Sequence, residues 1–323
     1  MAANSLPPPT RIPVMKFLKQ TFSEFSSDNC TTLAAALAYY TAFALPPLLF
    51  LLLTLLTLGM STVYESEQAE AKAQETITEQ ASQMIGNEAI SDEIATILEN
   101  NDKAGGKWWK TLISFAGIII GATGVVAALQ ASLNSVWEVK PDPEETGIKD
   151  IIWKRIFSFG MILGLAFLLL VSLAVSSVLA GVGDRVGSMV GMSGFAATLV
   201  NFVVQAVVVF IVFAAIFKFM PDAEVGWKDV GVGAAITTAL FLVGRFAMQI
   251  YFQISEPGAQ LGSAAASLAV LLAWVYYTAI IVLLGAEATQ VYASLYGSGI
   301  RPEDHAVKVE ERIRRSESGR VHD

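Results

Sequence analysis

Cysteine occurs once in these 323 residues, at Cys30, and histidine twice, at His305 and His322. One cysteine excludes an internal disulfide. One cysteine with two histidines falls short of the ligand count of a structural zinc site, and no metal or cofactor is expected. Charge is scarce as well. Asp, Glu, Lys and Arg make up 15% of the chain, against about 25% in a soluble domain. The N-terminal stretch MAANSLPPPTRIPVMKFLKQ has no apolar core, so it is not expected to act as a cleavable secretory signal. A nucleotide-binding motif is also missing, so nucleotide hydrolysis is not expected to drive the protein.

Apolar residues are abundant. They make up 54% of the chain, in runs longer than the ~20 residues that cross a bilayer core. Six spans are read, at about 32–59, 111–137, 156–181, 195–219, 230–254 and 264–291. The expected fold class is all-α, a polytopic membrane protein. Fifteen of the 21 Lys and Arg lie in the N-terminal tail, the 138–155 and 218–229 loops and the C-terminal tail. This bias places both termini in the cytoplasm, and an even number of spans agrees. The domains are then a 1–27 tail, a 28–296 membrane domain containing an outer 60–110 loop, and a charged 297–323 tail expected to be disordered.

Two stretches outside the spans have helical periodicity. In VMKFLKQTFSEF, the residues Val14, Phe17, Leu18, Thr21, Phe22 and Phe25 share a face. They form a helix that either lies in the cytoplasmic interface or packs on the membrane domain. In the acidic outer loop, Ile77, Ala81 and Met84, then Ile90, Ile94 and Ile97, indicate two amphipathic helices split at Gly86-Asn87. Such a face reads as a solvated cap.

Four features inside the spans could carry chemistry. Pro46-Pro47 falls in the middle of the first span, and two successive prolines are expected to break that helix. Broken helices at mid-membrane occur in transporter binding sites. Gln130 and Asn134 sit one turn apart on one face of the second span, as polar interhelical partners. Glu287, roughly 6 Å from the cytoplasmic edge of its span, joins this polar group. It is read as interfacial, near Lys218 or Lys228.

The fourth is Arg245, which interrupts VGRFAMQIYF roughly 22 Å from the cytoplasmic edge. A guanidinium stays charged and costs about 3 kcal/mol or more at mid-membrane. Gln205, Tyr276 and Tyr277 lie at similar depth, and Gln249 is one turn further along. With Tyr39 and Tyr40 they make a candidate substrate-binding group, a polar pocket with aromatic lining. An Arg without a carboxylate mate there suits a phosphate or carboxylate.

AAALAYYTAFALPPLLFLLL, GATGVVAALQASLNSVW, PDAEVGWKDVGVGAAITTALFLVGRF and GSAAASLAVLLAWVYYTAIIVLLGAEATQVYA resemble the YihY/BrkB family of bacterial inner-membrane proteins. The resemblance spans roughly residues 15 to 297. The family pattern carries over to Tyr39, Tyr40, Pro46, Gln130, Asn134, Trp137, Gly244, Arg245, Tyr276, Gly285 and Glu287, among others. This chain has Glu138 where many members have glycine. The resemblance implies a six-span inner-membrane protein. Members have been labelled ribonuclease BN, labelled a virulence or serum-resistance factor, or linked to lipid export. RNA hydrolysis needs a metal cluster or an acid–base pair. Both histidines lie in the tail, and nothing but tail charges is expected to gather on the cytoplasmic side, so no enzyme is expected. A transporter or flippase of an anionic amphiphile fits best. The alternative is a non-transporting scaffold for envelope machinery, resting on the outer helices and basic tail. The expected partners are membrane lipids, with an envelope protein for the scaffold and nucleic acid for neither.

Overall fold

The computed structural model describes residues 14–61, 64–85, 124–142, 194–255, 263–297 and 299–309, with the single positions 156 and 160. Apart from those two positions the third span, with the second outer helix and Gly86-Asn87, lies outside the described residues. The helices in chain order are α1 (Val14–Ser27), α2 (Cys30–Met60) and α3 (Ser66–Ile85), then α4 (Gly124–Val136). After them come α5 (Gly194–Phe219), α6 (Trp227–Ser255) and α7 (Ser263–Tyr296). Windows within α5, α6 and α7, at Phe202–Phe219, Trp227–Met248 and Leu271–Tyr296, are long and apolar enough to cross a membrane.

The helix ends follow local chemistry. α5 stops at Phe219, one residue short of the Met220-Pro221 pair, because the residue before a proline avoids the helical region. α6 opens with Asp229 in its first turn, where a carboxylate complements the helix N-terminus. Beyond α7, Gly299 turns the chain at φ 76°, a conformation cheap only for glycine. Between α1 and α2, Asn29 takes φ 52°, and asparagine is one of the few residues that tolerates this.

α7 is the central element and packs against α6, α2 and α1. Its crossing with α6 is close because two glycines face two threonines. A Cβ on Gly233 would strike Thr289 Oγ1 and the Gly285 carbonyl. A Cβ on Gly285 would strike Thr237 Oγ1. Thr237 and Thr289 are fully buried, and each donates to its own helix, to Gly233 O and Gly285 O at 2.9 Å. Small residues that let two backbones approach are the usual device for packing apolar helices in lipid.

Four short strands close one end of the bundle, called here the strand end. β1 (Val139–Pro141) pairs antiparallel with β4 (Ala306–Lys308), and β2 (Ala223–Glu224) with β3 (Arg301–Pro302). The segment from 297 onward, expected to be disordered, thus begins with strands that join the loop after α4 to the loop after α5. Backbone groups of three otherwise separate segments satisfy one another there.

The first span is also unlike its expectation. α2 runs unbroken through Pro46-Pro47. Each proline removes one backbone donor, but ending the helix there would free several more, and an apolar surrounding offers them no partners. Continuing the helix costs less.

α1 packs on the membrane domain, against α7 and α2. Thr21 is buried and Phe25 packs on the core, whereas Val14, Met15, Leu18 and Phe22 are exposed. α3 packs on α2, burying Ala69, Ala73 and Ile77. It ends at Ile85, immediately before Gly86.

Candidate functional site

Arg245 lies on α6 and is half-buried. Its Nη1 donates to Gln205 Oε1 of α5 at 2.8 Å. Among the described residues no carboxylate forms an ion pair with it. One turn earlier on the same face, Phe241 starts a run of aromatic contacts. Its ring meets Phe213 at 5.8 Å and Trp274 at 5.5 Å, both edge to face. Trp274 in turn meets Tyr277 at 6.0 Å. The Tyr277 ring occupies the space that a Cβ on Gly244 would need, and its hydroxyl donates to Leu240 O at 2.8 Å. The glycine preceding Arg245 therefore admits the tyrosine, and the tyrosine is fixed by a backbone carbonyl.

The remaining candidates are distributed differently. Tyr276 is half-buried and packed against the core. Tyr39 and Tyr40 are exposed on α2 and meet edge to face at 6.1 Å, with Tyr39 tilted against Phe43 at 4.8 Å. No described contact ties either to Arg245. The side chains of Gln249, Pro46 and Pro47 lie outside the described residues.

Gln130 and Asn134 act as a pair, but their partner is not on a helix. Gln130 Nε2 donates to Asp222 Oδ1 at 3.0 Å and Asn134 Nδ2 to Asp222 Oδ2 at 2.7 Å. Asp222 N–H donates back to Asn134 Oδ1 at 2.8 Å. The His305 ring adds Nε2 at 3.1 Å from Asp222 Oδ1. Asp222 is buried and sits in the loop between α5 and α6. The expectation that only tail charges gather at this end is thus corrected: an acid, a histidine and two amides meet there. A cavity of about 350 Å³ beside them is lined by Gln130, Asn134, Lys140 and Asp222, among others.

Glu287 also differs from its expected place. It is fully buried, and among the described residues no ion pair joins it to Lys218 or Lys228. Cys30 Sγ donates to its Oε1 at 3.4 Å. With the Gln290 amide turned so that both its atoms are satisfied, Gln290 donates to Glu287 Oε2 at 3.3 Å and to Val136 O at 2.6 Å. Lys218 instead donates to Val225 O at 2.8 Å. The neighbouring Trp137 indole donates to Ala286 O at 3.1 Å, so this corner of α7 is tied to α2 and to the end of α4.

Comparison with known proteins settles the relationship. The family model described as virulence factor BrkB matches residues 21–309. The chain belongs to the BrkB family. A UPF0761 membrane protein of Halorhodospira halophila is 26% identical over 85% of this chain and 56% of its own length. One of Psychromonas ingrahamii is 24% identical over 85% and 86%. The ribonuclease-like protein YfkH of Bacillus subtilis is 26% identical over 84% and 94%. The chain spans about half the length of several curated relatives it matches, such as the Halorhodospira protein at 56%. No solved structure matches. As a BrkB protein the chain is a multi-pass bacterial membrane protein.

Glu138, which follows Trp137 at the end of α4, takes φ 54°. A glycine would adopt that turn without steric cost.

Proposed function

We propose that this BrkB protein is a six-span inner-membrane transporter or flippase that passes an anionic, lipid-like amphiphile by way of Arg245. Its termini lie in the cytoplasm, with the strand end on that side, where Lys140, Lys218, Lys228, Arg301 and Lys308 gather. The observation that carries the reading is the state of Arg245. It is a permanent cation whose hydrogen-bond partner among the described residues is a neutral amide, Gln205. It stands on a helix apolar enough to cross a membrane. A neutral amide orients a guanidinium without cancelling its charge, so the remaining donors can take a bidentate anion. The aromatic run from Phe213 to Tyr277 gives a rigid wall beside it for the apolar part of a guest.

The test is transport by purified protein in proteoliposomes carrying a fluorescent anionic phospholipid in one leaflet. Arg245→Gln is expected to lower the rate at least 10-fold while membrane insertion and thermal stability stay near wild type. Arg245→Lys is expected to recover part of the loss, since an ammonium keeps the charge but not the planar fork. Wild-type transport by Arg245→Gln overturns the reading.

A further inference from the structure

A second cavity, of about 490 Å³, opens at the strand end, far from Arg245, and is lined by Lys218, Glu224, Val225, Gly226, Gly299, Arg301 and Glu303. That volume suits a small polar ligand or headgroup. The four charges comprise two of each sign, yet three of them are not paired. Lys218, Glu224 and Arg301 form no ion pair among the described residues, and Glu303 faces the His305 ring at 3.6 Å. Lys218 Nζ is steered by Val225 O, and Glu224 and Arg301 are fixed opposite each other in the β2–β3 ladder. Opposite charges held in one cavity without touching are arranged for a ligand that carries both signs.

The cavity also lies at the level where a membrane surface would be. Phe219 and Trp227, which end α5 and begin α6, are 50% and 62% exposed and meet edge to face at 5.8 Å. Lys218 Nζ stands 5.9 Å from the Trp227 ring. Exposed aromatic rings at the ends of apolar helices mark the headgroup layer. A headgroup in the cavity would thus have its acyl chains beside two aromatic side chains.

We propose that this cavity binds the headgroup of a zwitterionic aminophospholipid, with the phosphodiester against Lys218 and Arg301 and the ammonium against Glu224 and Glu303. The site is separate from Arg245, and neither assignment depends on the other.

The test is binding to the full-length protein in detergent, measured with short-chain phosphatidylethanolamine, short-chain phosphatidylglycerol and free phosphoethanolamine. The wild-type protein is expected to bind the phosphatidylethanolamine at least 10-fold more tightly than either other probe. Arg301→Gln, at an exposed position, is expected to weaken that binding about 10-fold with the thermal midpoint near wild type, and Lys218→Gln likewise. Glu224→Gln with Glu303→Gln is expected to bring phosphatidylethanolamine down to the level of phosphatidylglycerol. The proposal is overturned if Arg301→Gln and Lys218→Gln both bind as wild type does. Equal binding of the two lipids by wild type removes the ammonium site, and equal binding of phosphoethanolamine removes the lipid in favour of a free phosphoester.

Discussion

At the scale of single residues, Asp222 is the acceptor that holds the strand end together. Gln130, Asn134 and His305 all converge on its carboxylate. Removing the acceptor leaves buried donors unmet, and each such group costs about 1–3 kcal/mol. Asp222→Ala is therefore expected to lower stability by about 2–4 kcal/mol, seen as a drop in the thermal midpoint of tryptophan fluorescence. His305→Ala, at a half-exposed side chain, is expected to cost under about 1 kcal/mol. Equal midpoints for wild type and Asp222→Ala would remove this account of the joint. The one-turn spacing of Gln130 and Asn134 shows in the sequence that the two amides work together. Their partner, 88 residues beyond Asn134, does not show, because no local pattern encodes a contact across that distance. Glu138 gives the opposite sign of prediction. Its left-handed φ of 54° strains a residue with a Cβ by about 1–2 kcal/mol. Glycine relieves that strain but gives the unfolded chain more freedom. Glu138→Gly is expected to gain about 0.5–1 kcal/mol in the same assay, and a loss would show that the Lys308 ion pair at 3.8 Å outweighs backbone strain.

At the scale of elements, the crossing of α6 and α7 depends on volume. Gly233 and Gly285 each face a threonine with no room for a Cβ, so a larger residue must push the helices apart. Gly285→Leu is expected to abolish folded protein, read as loss of the monodisperse peak in size-exclusion chromatography. Gly231 is the internal control. It lies on α6, two residues before Gly233, and a Cβ there meets nothing within 4 Å. Gly231→Ala is expected to keep the peak and to gain a few tenths of a kcal/mol from helix propensity. If both variants behave alike, the close approach is not what holds the pair. Sequence reasoning located these helices well, because long apolar runs declare themselves. It failed at Pro46-Pro47, where α2 continues. The rule that proline ends helices is calibrated in water, where freed carbonyls find solvent. In an apolar run the same carbonyls have nowhere to go, and the helix persists.

At the scale of the whole molecule, the packing of α7 could not be read in advance. A helix apolar on every side has no stripe to say which face is covered. Gly285, Glu287 and Thr289 interrupt its inner half, and all three lie on the buried side. The Arg245–Gln205 meeting was legible for a simpler reason: two antiparallel helices of known length bring equal depths together. The placement of Lys and Arg in the sequence implies an orientation, and that expectation leads to the last prediction. If the strand end and both termini face the cytoplasm, then α1 and the β3–β4 segment share one side and α3 lies on the other. Cys30 is fully buried, so the chain carries little thiol background for labelling. In spheroplasts with intact inner membranes, Lys72→Cys is expected to react with a membrane-impermeant maleimide. Lys16→Cys and Asp304→Cys are expected to react only after the membrane is opened. Labelling of Lys16→Cys and Asp304→Cys from opposite sides would require an odd number of spans. Their joint labelling from outside would invert the bundle and put the headgroup cavity in the outer leaflet.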